Sequence, residues 1–246
     1  MRLTEHVYLV GSGWLGFGLS NAMDCHVYLV DGGTQLALID AGVGLEVDRI
    51  VDNILADGLD IKKLKYVLLT HAHADHAGGC RQWKDRFSVQ VLASPEAARF
   101  VAEGDEAGIS LSVAKQGGFY PDDYRFSSCP VDRILHEGDR LTVGNIDFQV
   151  YETSGHCQGM LSFLMSADQR TFLVSGDTIF HGGKILLSNV YDCDLQVYVR
   201  SLGKLSQLTV GAILPGHFAL VLSGGNLHIQ KATECLARMA LPPNAL

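Results

Sequence analysis

Three patterns are missing from this sequence, and each absence removes a class of function. No two of the six cysteines (Cys25, Cys80, Cys129, Cys157, Cys193, Cys235) form a C-x-x-C pair, and their scatter fits free thiols better than a disulfide framework. No uninterrupted apolar stretch approaches the roughly 20 residues needed to span a bilayer. The opening MRLTEHVYLV has none of the basic, apolar and cleavage-site order of a signal peptide. Nor is there a run of Lys or Arg: 19 basic residues stand against 27 acidic ones, a formal net charge of -8. Phosphate binding needs clustered cations, so a nucleic-acid partner is not expected. The expectation is a cytoplasmic protein that acts on a small molecule, with no nucleic-acid or membrane partner. Nothing in the sequence speaks to its oligomeric state.

What is present is a large supply of core. Of the 246 residues, 47% are hydrophobic and 19% charged, too little charge for a disordered chain. Short β-rich runs at 6–10, 25–30 and 35–39 open the chain, the last two flanking the turn signal Asp31-Gly32-Gly33-Thr34. Helical spacing follows at 47–55, then a short buried strand at 66–69, another strand at 89–93, and a helix from Pro95 to about Ala102. Pattern weakens over 104–130, where Gly108, Gly117, Gly118, Tyr120 and Pro121 suggest a lid or insert loop with one short helix. Strands resume at 141–143, 146–152, 161–165 and 171–174. Helical spacing returns at 195–208, a strand at 211–214, and a helix at 226–239. One echo stands out: residues 28–42 and 161–178 both read strand, turn, strand, then an aspartate, Asp40 and Asp177 respectively. No linker separates the halves, so residues 1–246 are expected to form a single domain, two sheets face to face with helices outside.

The most specific feature is His71-x-His73-x-Asp75-His76. Chance places such a four-residue pattern in roughly one sequence in a thousand of this length. It follows a strand and precedes Ala77-Gly78-Gly79, where small residues allow a tight turn into a helix. Imidazole and carboxylate side chains this close suit a borderline ion such as zinc, while iron, manganese or cobalt also accept them. In a turn, neighbouring residues point different ways, so His71 and His73 can serve one ion, and Asp75 and His76 another. Two divalent ions a few ångströms apart lower the pKa of a shared water towards neutrality and polarise a substrate carbonyl. No Ser or Cys nucleophile is then required, which leaves Cys157, beside His156, a bystander unless it binds a soft metal.

With these residues in hand, the chain resembles the metallo-β-lactamase superfamily. Leu38-Ile-Asp40-Ala-Gly42, Thr153-Ser-Gly155-His156, Ser175-Gly-Asp177-Thr178 and Leu214-Pro-Gly216-His217 are similar to its first, third, fourth and fifth motifs, in order. The resemblance implies an α/β (α+β) fold, a four-layer αββα sandwich of two mixed β-sheets with helices on the outer faces. It also implies that His71, His73 and His156 hold one ion and Asp75, His76 and His217 the second, with Asp177 bridging. Asp75 would be the catalytic acid–base group. Asp40 is expected behind these ligands, orienting them by hydrogen bonds. Tyr120, His181 and Lys184 are further candidates to stand behind the ligands or to face the substrate, and His6, His26, His136 and His228, without a partner motif, read as structural or solvated.

Departures from individual branches narrow the expectation. True β-lactamases of the superfamily are exported and carry no Asp at the Asp177 position. Diiron relatives carry Glu where this chain has His73. The glyoxalase II and lactonase branches remain, and Ser175-Gly-Asp177-Thr178-Ile-Phe180 resembles the glyoxalase II motif. Only 29 residues follow His217, too few for the helical domain with which glyoxalase II grips glutathione. The expected activity is dinuclear, metal-dependent hydrolysis of a small carbonyl ester, thioester or lactone by a metal-bridging hydroxide, with Zn2+ as the ion. The alternatives are a mononuclear iron enzyme resembling the persulfide dioxygenases, in which His76 and His217 would be dispensable, and a non-catalytic member of the fold.

Overall fold

The hairpin signal at Asp31–Thr34 closes as anticipated: Asp31 Oδ1 accepts from the amide of Gly33 at 2.8 Å, and Gly33 takes the left-handed φ of 81° that glycine tolerates. It joins β2 (Val27–Asp31) to β3 (Leu36–Ile39), and β1 (Val7–Gly11) lies antiparallel outside β2. In this computed structural model, which describes residues 1–246, β3 passes through α1 (Val47–Ala56) to the parallel strand β4 (Leu64–Leu68). The chain then makes a one-turn helix α2 (Ala74–Ala77), helix α3 (Cys80–Phe87) and strand β5 (Gln90–Ala93), parallel to β4. Helix α4 (Pro95–Glu103) starts where Ser94 accepts the amide of Ala97 and Pro95 occupies the first turn; it stops at Gly104 in the left-handed region.

Helix α5 (Leu111–Gln116) is the one short helix of the 104–130 segment. A two-residue strand β6 (Arg133–Ile134) then completes a six-stranded mixed sheet in the order β1-β2-β3-β4-β5-β6. Strands β7 (Arg140–Val143), β8 (Ile146–Glu152), β9 (Leu161–Ala167) and β10 (Arg170–Gly176) run antiparallel in turn. Helix α6 (Leu195–Leu205), whose cap Asp194 accepts from Gln196 and Val197, carries the chain to β11 (Ala212–Pro215), parallel to β10; α7 (Gly225–Ala237) follows. The second sheet is β11-β10-β9-β8-β7.

Three layers of apolar packing account for the four-layer sandwich. Leu9, Tyr28, Ile39, Phe148, Phe163 and Phe172 interleave between the sheets. Val27, Leu38, Ile50, Trp83 and Phe100 join the first sheet to α1, α3 and α4, and Leu173, Tyr198, Leu202 and Ile229 join the second to α6 and α7. Burying each such side chain contributes about 1.5–3 kcal/mol before conformational entropy is charged against it. Residues 104–130 are less of a free lid than the sequence suggests. Ile109, Leu111, Tyr124, Phe126 and Cys129 are all buried in the first of these outer layers.

The echo between the halves is structural as well. In each, an antiparallel hairpin (β2-β3, β9-β10) ends in an aspartate, and a helical crossover (α1, α6) leads to a parallel strand (β4, β11). Asp40 and Asp177 follow the first strand of each parallel pair; the His71 motif and His217 follow the second. All therefore gather at one end of the sandwich, off the carboxyl ends of parallel strands, where open sheets place their ligands.

Candidate metal centre

Immediately beyond β4, the buried Thr70, His71 and His76 turn back under the strand ends while α2 lifts Asp75 towards the opening. His71 Nε2 and His156 Nε2 each lie 3.1 Å from His73 Nδ1. Three imidazole nitrogens thus face one point. A second group forms beside it: His217 Nε2 is 3.1 Å from Asp75 Oδ2, and His76 Nε2 is 3.4 Å from both Asp75 Oδ2 and His217 Nε2. Asp177 lies between the groups, 3.7 Å by Oδ2 from His156 Nε2, 3.5 Å by Oδ2 from His217 Nε2 and 3.7 Å by Oδ1 from His76 Nε2.

These spacings test whether a cation fits. Ligand atoms at zinc distances of about 2.0–2.2 Å in a tetrahedron stand about 3.3–3.6 Å apart, close to what is seen here. The donor set of imidazole and carboxylate suits such an ion, and the buried Asp177 Oδ1 has no hydrogen-bond partner in the protein. The groups His71–His76–Asp177 and Asp75–His76–His217, which share His76, each bring three donor atoms within reach of one ion. The residues fit a divalent cation.

The rest of each ring is held by the fold. His76 Nδ1 meets Asp40 Oδ2 at 2.8 Å, which leaves its Nε2 lone pair for the site. Asp40 itself sits at φ 62°, a left-handed turn that brings its carboxylate beneath Thr70. The Thr70 amide and hydroxyl both donate to Asp40, at 2.7 and 2.8 Å, and the hydroxyl is 3.0 Å from His71 Nδ1. With its proton on Asp40, that hydroxyl accepts from His71, so one carboxylate orients both rings. His156 Nδ1 donates to the carbonyl of Leu186 at 2.9 Å. His26, burial having lowered its pKa to about 4, meets the Phe218 carbonyl and the Ser12 hydroxyl and anchors the backbone next to His217.

Charge divides the cluster unevenly. Burial drives the His71 imidazole well below its ordinary range and His73 down to about 3, helped by neighbouring imidazoles, so these two rings are neutral. Around the second group, burial opposes ionisation of Asp75 and Asp177, yet the surrounding histidines outweigh it and hold both carboxyls below the usual range. Burial also opposes a charge on His217, but Asp177 and Asp75 overcome it and push the pKa up to about 10. The metal-free chain therefore keeps a proton on His217 through the neutral range, and a cation must displace it. Against burial, Asp75, Asp40 and Asp177 raise the pKa of His76 as well, so zinc affinity of this group is expected to fall at least about tenfold for each pH unit lowered through the neutral range, as protons on the two rings compete with the ion. Competition with a chromophoric chelator between about pH 6 and 8 measures the slope; a flat profile contradicts the assignment.

The 104–130 segment contributes directly. Tyr120 Oη donates to Asp75 Oδ1 at 2.9 Å and accepts from the Asp75 amide at 3.1 Å, leaving Oδ2 for the histidines. Its ring stacks on Tyr124, 5.3 Å between centroids. Tyr120→Phe keeps the ring and removes the hydroxyl. It is expected to weaken zinc at the second group about 10–100-fold, the usual effect of losing a partner behind a ligand, while metal-free stability drops by no more than about 1.5 kcal/mol. Zinc titration and thermal melts of the two proteins check both halves.

His181 and Lys184 are not brought to the site. The chain turns away after the buried Phe180, and both side chains are exposed beyond the cavity beside the cluster. The 3₁₀ turn His181–Gly183 packs on α7, His181 lying 4.8 Å from His228, whose Nδ1 accepts the Gly182 amide. Sequence separations of four and seven residues from Asp177 do not translate into proximity once the turn intervenes. Cys157 is buried with its sulfur within 4.8 Å of ligand atoms of His71 and His73, but it does not line the cavity. Reading the sequence missed Thr70, for which the hydroxyl directly before the motif was the available signal. His26, without a partner motif in the sequence, is a buried structural histidine.

Comparison with known proteins decides the family, since the profile of the metallo-beta-lactamase superfamily matches residues 21–217. The chain belongs to the metallo-beta-lactamase superfamily. It is 30% identical over 148 residues to the hydroxyacylglutathione hydrolase GloC of Haemophilus influenzae, a match covering 60% of this chain and 62% of that protein, less than two thirds of its length. It is 30% identical over 212 residues to the acyl-coenzyme A thioesterase MBLAC2 of Gallus gallus, covering 78% of this chain and 72% of that one. Among solved structures, BJP-1, a subclass B3 metallo-beta-lactamase of Bradyrhizobium japonicum, superposes with a TM-score of 0.73 at 22% identity over 97% of this chain and 91% of its own. The FEZ-1 metallo-beta-lactamase of Legionella gormanii gives 0.73 at 20% identity, over 97% and 94%. At such identity these structures establish the αββα fold and nothing of the substrate.

Proposed function

We propose that this superfamily member is a dinuclear zinc hydrolase of a small acyl ester, thioester or lactone. One observation carries the reading: seven donor residues converge in two groups around an orphaned Asp177 oxygen, at the floor of an apolar cavity. His71, His73 and His156 would hold one ion, Asp75, His76 and His217 the other, and Asp177 both. When bound, the pair supplies Lewis acidity for the carbonyl and a water acidic enough to ionise near neutral pH.

The chain's own residues do the rest. Asp75 lines the cavity with Oδ1 fixed by Tyr120, so its Oδ2 would serve as the acid–base atom. It takes the proton of the attacking water as the new carbon–oxygen bond forms. It returns that proton to the leaving sulfur or oxygen as the acyl bond breaks. Asp40, through Thr70, keeps the rings from reorienting during the cycle. Placement of His76 and His217 with Asp75 favours two ions over a mononuclear iron site, in which both would be dispensable. The names of the hydroxyacylglutathione and acyl-coenzyme A relatives support an acyl bond as the target.

Zinc-loaded protein assayed on an ester, thioester and lactone panel tests the proposal. Turnover is expected with at least one class, abolished by a chelator and restored by zinc. Turnover that survives both metal removal and His71→Ala would overturn it, as would silence across the panel at full metal loading.

A further inference from the structure

Beside the metal cluster lies a cavity of about 280 Å³, near the small end of ligand pockets, which run from about 300 to 1,000 Å³. Ile109, Leu111, Val113 and Ala114, from α5 and the turn before it, give it one apolar wall, and Leu186 and Val190 add a second. Every charged or imidazole side chain lining the cavity (His73, Asp75, His156, Asp177, His217) belongs to the cluster itself, and no Lys or Arg lines it. The lysine of α5, Lys115, is turned onto the carbonyls of Asp122 and Tyr124 at 3.2 and 2.7 Å. Of the remaining polar side chains, the Tyr120 hydroxyl is held by Asp75, and Ser110, Ser188 and Asn189 carry no charge.

We infer that this cavity selects an uncharged aliphatic acyl group of short to medium length and leaves the carrier portion of the substrate outside. The inference rests on the hydrolase reading above and adds the class of acyl group. A methylene moved from water to such walls gains roughly fourfold in affinity or kcat/KM. A carboxylate at the end of the same chain sheds its hydration and meets no cation along either wall. Selection against anionic acyl groups therefore comes from the walls, separately from the chemistry at the cluster. Val113 is 44% exposed, so a cation introduced there stays in contact with water while reaching the wall.

The test uses the zinc-loaded enzyme and thioesters of one common thiol, N-acetylcysteamine, bearing acetyl, butanoyl, hexanoyl and succinyl groups. Expected values of kcat/KM rise about tenfold or more from butanoyl to hexanoyl, and butanoyl exceeds succinyl by at least about tenfold. Val113→Arg should raise the succinyl-to-butanoyl ratio at least about tenfold by offering the missing counter-charge. Succinyl turned over as well as butanoyl, or a Val113→Arg enzyme that folds and keeps the original ratio, overturns the inference while leaving the hydrolase reading in place. No turnover of any of these thioesters by an enzyme that cleaves an ester or lactone overturns the inference alone, whereas silence across the ester, thioester and lactone panel at full zinc loading overturns both.

Discussion

Asp177→Asn is expected to bind fewer than two zinc ions tightly and to lose more than about 100-fold in kcat/KM, a larger loss than removing a partner behind a ligand causes. Asparagine fills the same volume, so the cavity floor stays packed and the metal-free protein should remain folded. What changes is charge. Asp177 is the only carboxylate within 4 Å of histidines from both groups. Neutralising it removes the anion that offsets two adjacent cations. It also removes the foremost support for the raised pKa of His217, which burial opposes. Metal content by elemental analysis, beside kcat/KM on the best substrate of the panel, measures both effects. An Asp177→Asn protein with two tightly held ions and near-normal turnover contradicts the bridging role.

Gly216→Ala is the second large effect, and it acts without replacing any donor residue. A Cβ at this position would lie 2.2 Å from Asp177 Oδ1 and 2.7 Å from His76 Cε1. Neither neighbour can give way freely: His76 is tied to Asp40, and Asp177 is flanked by His156 and His217. The Gly216 amide is also bonded to Gly176, and its carbonyl to His26, so the backbone is held from both sides. The added methyl should destabilise the fold by about 1–3 kcal/mol, the range for overpacking a filled core, and prevent two-ion loading. Denaturant melts and zinc titration of the variant test this. A variant that loads both ions with wild-type stability would show that the strands can spread at little expense.

Much of this centre was legible before any coordinates. The ligand residues stood out because loops leaving parallel strands present side chains in a fixed order, and His71-x-His73-x-Asp75-His76 compresses four donors into six positions. The two hairpins ending in Asp40 and Asp177 are readable because short β-rich runs flank turn residues in each. Contacts made across the fold were not readable. Tyr120 reaches Asp75 from 45 residues away, and the part of the segment that carries it has no regular period, although Ile109, Leu111, Tyr124 and Phe126 anchor it in the core. His181 and Lys184 show the converse, since closeness to Asp177 in sequence is not closeness in space: the turn after Phe180 leaves both exposed and outside the cavity lining. A two-residue strand such as β6 is shorter than any periodicity can register.

The central claim is that two cations share this cluster, and native mass spectrometry of the metal-free protein titrated with zinc tests it most directly. The account predicts two successive additions of one zinc each, with the doubly loaded form dominant at a small excess of metal and the second addition weakened in Tyr120→Phe. Saturation at a single ion, or no addition to a protein shown to be folded, would contradict it.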